Sequence, residues 1–333
     1  MTDMLMREFA PGLRASPVGL GTWAIGGWMW GGTDDAAAED AIRAGLDAGI
    51  TLIDTAPAYG LGHAEEVVGR AIRGRRDQVA IATKCGLVWH DQRGPYFFSQ
   101  GGFPVHRDLR PAAIRHEVEE SLRRLQTDRI DLYITHWQDP TTPIPETVDA
   151  LKALRAEGKI LAFAASNTTP DDLAAYRAAG GIAAVQIAAV QEEYSMLQRR
   201  IETTHLPHCR AEGIAVMGYS VLGLGLLSGG ITVDRVFSGD DQRREDPRFS
   251  PENRTRVDRL MQTIRPIASQ HAACPSQVVI AWTLAQPGLT FALCGARNPD
   301  QAIENAKAGC LRLTRADLEA ITRAIDQHLS PAA

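Results

Sequence analysis

The chain has 333 residues, 44% of them apolar and 23% charged, with a formal net charge of −5. That balance is ordinary for a soluble globular protein and excludes a nucleic-acid surface, which needs a basic excess. No run reaches the roughly 20 apolar residues of a membrane helix, and the five cysteines contain no CxxC pair. Neither a zinc motif nor a disulfide framework is therefore indicated. The N-terminal stretch MTDMLMREFA lacks an apolar core of signal-peptide length, so the expected compartment is the cytoplasm.

Residues 4–16 carry a Pro11-Gly12 turn between two short extended pieces, which predicts a leading hairpin. SPVGLGT reads as the first strand of a repeating unit, followed by a glycine-rich loop holding Trp23, Trp28 and Trp30 and a helix at 35–48. Alternation continues with strand 52–56, helix 64–73, strand 79–84, helix 111–125, strand 130–136 and helix 146–157. Strand 160–165, a helix opened by Thr169-Pro170, strand 183–190, helix 198–212 and strand 214–219 follow. A long irregular segment, 223–253, precedes helices near 254–270 and 276–285, the strand TFALCG, a helix near 299–308 and a closing helix from Thr314.

Continuous apolar strands between amphipathic helices indicate a parallel sheet covered on its outer face. Eight such units predict a closed (β/α)8 TIM barrel with an N-terminal hairpin and long loops at its C-terminal face, the whole of 1–333 forming a single domain. Catalytic groups are expected at the strand C-termini of such a barrel.

Three apolar runs each end on one ionisable residue: TLID on Asp54, VAIATK on Lys84 and IDLYITH on His136, with Tyr59 in the loop after the first. A phenol has a pKa near 10 and is a poor proton donor at neutral pH. A neighbouring ammonium favours the phenolate, a carboxylate holds that ammonium charged, and an imidazole can fix a carbonyl oxygen by hydrogen bonding. Together they can protonate a carbonyl oxygen while a hydride carried by nicotinamide reaches its carbon. No metal ligand set or nucleophilic serine is signalled.

Taken in order, GLGTWAIGG, DTAPAYGLGHAEEVVGRAI, ATKCG, YITHW, ASN and GARNPDQAIEN resemble the motifs of the aldo-keto reductase family over nearly the whole chain. GGWMWGG and EEYSML resemble the bacterial branch that includes stress-protein and inositol-catabolism relatives. The resemblance implies a reversible NADPH-dependent reduction of aldehydes or ketones, with Tyr59 as proton donor, Lys84 and Asp54 tuning it, and His136 orienting the carbonyl. It implies that NADP lies on the barrel against Gly21, Thr22, Trp23 and Asp54. Ser166, Asn167 and Gln191 would hold the carboxamide, and Tyr219 would stack on the ring. Ser220, Leu222, Gly223 and Gly225 would line the pyrophosphate, followed by the phosphate loop at Gly295 and Ala296. Arg297 and Gln301 would reach the 2′-phosphate, and Glu304 and Asn305 would lie near the adenine.

The loop tryptophans Trp28, Trp30, Trp89 and Trp137 suit the walls of a pocket for a small carbonyl or alcohol substrate. Arg243, Arg244 and Arg248 read as a solvated cluster, or as a flap over the cofactor phosphates. Two other functions fit parts of the pattern: a nicotinamide-sensing binding subunit, and a Schiff-base aldolase using Lys84. No membrane or nucleic-acid partner is expected, and monomer and homo-oligomer remain open.

Overall fold

The computed structural model describes residues 4–180 and 187–329. A hairpin, β1 (Arg7–Ala10) and β2 (Leu13–Ala15), comes first. Eight parallel strands then close into a barrel in the circular order β3 (Val18–Gly21), β4 (Leu52–Asp54), β5 (Ala80–Cys85), β9 (Ile130–Thr135), β10 (Ile160–Ser166), β11 (Ala189–Glu193), β12 (Ala215–Tyr219) and β13 (Phe291–Gly295). The last strand pairs with the first, from Ala292 against Val18 to Gly295 against Gly21. Ten helices sheathe the described barrel: α1 (Asp35–Asp47), α2 (His63–Ala71), α3 (Pro111–Leu125), α4 (Ile144–Ala156), α5 (Pro170–Gly180), α6 (His205–Glu212), α7 (Pro251–Gln270), α8 (Pro275–Leu284), α9 (Pro299–Ala308) and α10 (Arg315–His328).

The period-two alternation of a strand decides what faces the barrel axis. Leu52, Ala82, Leu132, Ile134, Ala164, Ala189, Met217 and Leu293 form the inner apolar cluster, while Ile53, Ile81, Tyr133 and Phe163 pack outward with the helices. Two residues beyond these inner positions, on the same side, stand Asp54, Lys84, His136, Ser166, Gln191, Tyr219 and Gly295. The polar layer at the top of the barrel is thus continuous with the apolar filling below it.

The hairpin stoppers the opposite end, with Phe9 edge-on to Phe291 at 6.2 Å and Ala10 and Ala15 joining the inner cluster. Of the two barrel ends, the C-terminal one is left open for a cleft.

The structure departs from the sequence expectation in three places. Residues 198–212 are not one helix but a 3-10 turn (Arg200–Glu202) followed by α6, because Pro207 cannot continue a helix from upstream. The strand expected at 183–190 is formed by Ala189–Glu193, and residues 183–186 of the expected span lie outside those described. The loop after β5 holds a three-stranded antiparallel sheet, β6 (Leu87–Val88), β7 (Tyr96–Gln100) and β8 (Phe103–Arg107), in the order β6-β8-β7. Segment 223–253 is irregular as expected, with 3-10 turns at Leu226–Ser228, Gln242–Arg244 and Pro247–Phe249.

Candidate active site

Asp54 ends β4, Lys84 lies in β5, and His136 follows β9 directly. Tyr59 is brought over them by a tight loop onto which the β3–α1 connection packs: a Cβ on Gly26 would lie 2.6 Å from the Tyr59 carbonyl carbon. Only glycine permits that approach.

The Lys84 ammonium is fully buried and donates to both Asp54 carboxylate oxygens (2.9 and 3.0 Å), the Thr55 carbonyl (2.8 Å) and the Tyr59 hydroxyl (3.1 Å). Gln191 Nε2 donates to Asp54 Oδ1 at 2.7 Å, joining a fourth strand to the cluster. The rings of Tyr59 and His136 meet edge to face, 5.8 Å apart, and Trp23 stacks with the phenol at 6.4 Å.

Burial, reinforced by Asp54, pushes the Tyr59 phenol well above its usual range. This runs opposite to the direction expected from a neighbouring ammonium, because burial strips water from the phenolate. Burial also lowers the Lys84 ammonium from its ordinary value against the opposing pull of Asp54, and burial with Lys84 holds His136 well below its usual range. The site at neutral pH therefore contains a protonated phenol and an uncharged imidazole, whose Nδ1 is buried without a protein partner. Such a set can donate a proton from Tyr59 and steady the resulting negative charge with Lys84.

From this cluster a cleft of about 680 Å³ runs across the top of the barrel. Ser166, Asn167, Gln191 and Tyr219 line it near Tyr59; the Tyr219 hydroxyl donates to Asn167 Oδ1 (2.7 Å) and Asn167 Nδ2 to the His136 carbonyl (2.9 Å). Asn167 and Ser220 have left-handed φ angles of 55° and 56° at strand ends that face the cleft, a strain typical of ligand-binding positions. Gly21, Trp23, Leu222 and Gly225 line its middle, and Gly295, Arg297, Gln301, Glu304 and Asn305 its far end.

Four expected positions are not in the lining. Thr22 is buried with its hydroxyl on the Asp54 carbonyl (3.0 Å), and Ala296 is buried at 1% exposure. Gly223 has its Cβ direction blocked by Leu197, 2.7 Å away. Trp89 packs beside Leu87 and Val105 rather than facing the cleft. Trp28 and Trp137 do line it. Trp30 lines it too, packed edge-on against Trp23 at 5.4 Å and covered by the Arg243 guanidinium at 5.2 Å.

Segment 223–253 crosses the cleft and is tied to the loop carrying Trp28 and Trp30. Asp240 accepts from the Met29 and Gly31 amides (3.1 and 3.0 Å), and Gln242 N donates to the Met29 carbonyl (3.0 Å). Arg243 is not a solvated charge: it forks onto Asp241 and lines the cleft, whereas Arg244 pairs with Glu245 at the surface. Arg248 pairs with Asp246 and Glu193. Phe98, Phe237 and Ser276 also reach the cleft. The periodic pattern had no means of placing Phe237 and Ser276, since one sits in irregular chain and the other at the start of α8.

The cleft suits an extended dinucleotide. Arg297 and the N-terminus of α9, capped by Asn298 on the Gln301 amide (3.0 Å), offer positive potential at one end, and hydrogen-bonding side chains crowd the other. Among the described residues no group of three or more potential ligands could hold a metal, and no helix is long and apolar enough to cross a membrane.

A closed barrel with a polar layer and a cleft of about 680 Å³ at its strand C-termini has the architecture of a barrel oxidoreductase. The chain belongs to the Aldo/keto reductase family, whose sequence profile matches residues 17–326. It is 40% identical over 311 residues to the NADH-specific methylglyoxal reductase of Escherichia coli K12, covering 92% of this chain and 93% of that one. Among solved structures it resembles the glycerol dehydrogenase AKR11B4 from Gluconobacter oxydans, with 37% identity, a TM-score of 0.88 and coverage of 100% and 98%. It also resembles an aldo/keto reductase from Klebsiella pneumoniae in complex with NADP and acetate, with 29% identity, a TM-score of 0.71 and coverage of 99% and 98%.

Proposed function

We propose that the protein reduces aldehydes or ketones to alcohols, reversibly, with NADPH as the hydride source and Tyr59 as the proton donor. The observation that carries this reading is the contact of the buried Lys84 ammonium with both Asp54 and the Tyr59 hydroxyl. Held by Ser166, Asn167, Gln191 and Tyr219, a reduced nicotinamide would supply the hydride for the carbonyl carbon. Tyr59 gives its proton to the carbonyl oxygen, Lys84 stabilises the phenolate left behind, and Asp54 keeps Lys84 charged and aimed. His136, uncharged, orients the carbonyl oxygen beside the phenol.

Ser166, Asn167 and Gln191 are assigned to the carboxamide, Tyr219 to the ring face, and Ser220, Leu222 and Gly225 to the pyrophosphate. Arg297 and Gln301 are assigned to the 2′-phosphate, and Glu304 and Asn305 to the adenine. NADP is favoured over NAD by Arg297 at the cleft's far end and by the NADP complex of the Klebsiella relative. The name of the Escherichia coli relative points the other way, so both dinucleotides belong in the test. A Schiff-base role for Lys84 is disfavoured because its ammonium is fully buried and already engaged by Asp54, Thr55 and Tyr59.

The test is reduced-nicotinamide oxidation with a panel of aldehydes and ketones, for the native protein and Tyr59→Phe. Native turnover and a loss of roughly 10²–10⁴ in the variant, with cofactor affinity kept, are expected. Near-native turnover with phenylalanine at 59 would refute the role.

A further inference from the structure

We propose that the acceptor end of the cleft selects uncharged carbonyl compounds bearing a flat apolar group, with Trp28 and Phe98 setting the selection. This rests on the carbonyl-reduction reading and specifies the substrate class of that same site.

Besides the polar residues already described and Trp23, the lining that includes Tyr59 and His136 also includes Trp28, Ala58, Leu87, Phe98 and Trp137, none of which carries charge. The cations of the cleft, Arg235, Arg243 and Arg297, belong to segment 223–253 and to the loop before α9. Lys84 is consumed by Asp54 and Tyr59, and Arg107, behind this wall, is screened by it. Arg107 lies 5.4 Å from the Phe97 ring centre, donates to the Gln138 carbonyl at 3.3 Å, and is absent from the lining. A carboxylate or phosphate on the substrate would therefore lose water here without gaining a counter-charge.

The wall is also built flat and held in register with the reacting groups. Trp28 and Phe98 stack with centres 5.2 Å apart and planes 15° from parallel. Phe98 lies on β7 two residues before Gln100, so both point to one side of the strand. Gln100 is buried at 4% exposure, and its amide spans the residues flanking Tyr59: turned so that its nitrogen faces the Ala58 carbonyl (3.0 Å) and its oxygen the Gly60 amide (3.2 Å), it satisfies both. The small sheet after β5 is thereby pinned to the Tyr59 loop, and the face of Phe98 is fixed relative to the phenol. Trp28 is fixed from the other side, since Asp240 binds the amide of its neighbour Met29. An aryl group laid against this wall exchanges water for aromatic surface on a pre-set plane.

The test compares methyl 4-formylbenzoate with 4-carboxybenzaldehyde, nearly identical in shape and differing by one charge, with propanal as a small neutral reference. The ester is expected to exceed the acid in kcat/KM by about a hundredfold or more, and to exceed propanal. Phe98→Leu keeps the apolar volume but removes the flat face, and Trp28→Ala removes the opposing plane. Each should raise KM for the ester by about tenfold, with a smaller change in kcat. If propanal is reduced but the acid matches or exceeds the ester, the selection is overturned and Arg107 becomes the candidate partner. If both variants leave the ester's KM unchanged, the assignment to Trp28 and Phe98 is overturned. Absence of turnover with every carbonyl and either dinucleotide would instead remove the underlying reading.

Discussion

In the proposed reaction Lys84 is the residue on which the chemistry turns, because a single buried ammonium acts on three neighbours of different kinds. It pairs with Asp54, touches the Tyr59 hydroxyl and repels a proton from His136. Lys84→Met removes the charge and keeps most of the length. Without the ammonium the Tyr59 phenolate loses its stabilising contact, so the phenol moves still higher. His136 loses a repelling charge, so the imidazole moves up as well. Both changes are upward, so the pH–rate profile of the variant should move toward higher pH as its turnover falls by about tenfold to a thousandfold. A profile that overlays the native one would show Lys84 to be structural only. Asp54, Lys84 and His136 were legible in the sequence because each stands two residues beyond an inward apolar residue, at the end of a readable run. The direction in which Tyr59 moves was not legible, since charge order can be read from a string and burial cannot.

At the scale of elements, legibility followed local signals. α3 and α9 match their expected bounds to the residue, or nearly so, because Pro111 and Pro299 start them, and α10 opens on the Thr314–Asp317 capping box. The sheet after β5 was missed although Gly101-Gly102, with φ of 57° and 83°, makes a two-residue hairpin turn. Another element-level contact was invisible altogether: Glu117 of α3 is buried and accepts from the Gly86 amide at 2.7 Å, just past β5, while its second oxygen has no partner. Burial pushes this carboxyl from 4.5 up to about 8. A raised carboxyl binds its proton more tightly in the folded chain than in the unfolded one. Its penalty is therefore absent below about pH 4.5, grows as pH rises, and is complete above about pH 8. Glu117→Gln can keep the bond from Gly86 and removes the ionisation. Its stability advantage over the native chain should grow through that window by roughly 1.4 kcal/mol for each pH step of one, reaching a few kcal/mol before it levels off. Thermal melts at pH 5, 7 and 9 read this directly, and a constant or shrinking difference would refute it.

For the molecule as a whole, the barrel supplies a rigid polar layer, and three loops that share no strand pairing close over it. The β3–α1 loop is the meeting point: Asp240 holds its Met29 and Gly31 amides, and the Arg297 guanidinium holds its Trp30 and Gly32 carbonyls at 3.2 and 2.9 Å. Sequence motifs marked Arg297 and the tryptophans separately, but their joining depends on chain separations of about 200 to 270 residues, which no local pattern encodes. On the proposed reading Arg297 would have two separable effects on a bound dinucleotide. One is a charge-assisted bond to a 2′-phosphate, contributing about 1.5–3 kcal/mol, or roughly ten- to over a hundredfold in affinity, for NADPH alone. The other is bracing of the loop, which acts on NADPH and NADH alike. Asp240→Ala isolates the second effect, because it releases the same loop without touching the phosphate end. Titrations by protein fluorescence should show Arg297→Ala lowering the NADPH-to-NADH affinity ratio by that factor, while Asp240→Ala weakens both and leaves the ratio in place. Should Arg297→Ala weaken both dinucleotides equally, Arg297 is a loop brace only, and the preference for NADP proposed for this chain falls with it.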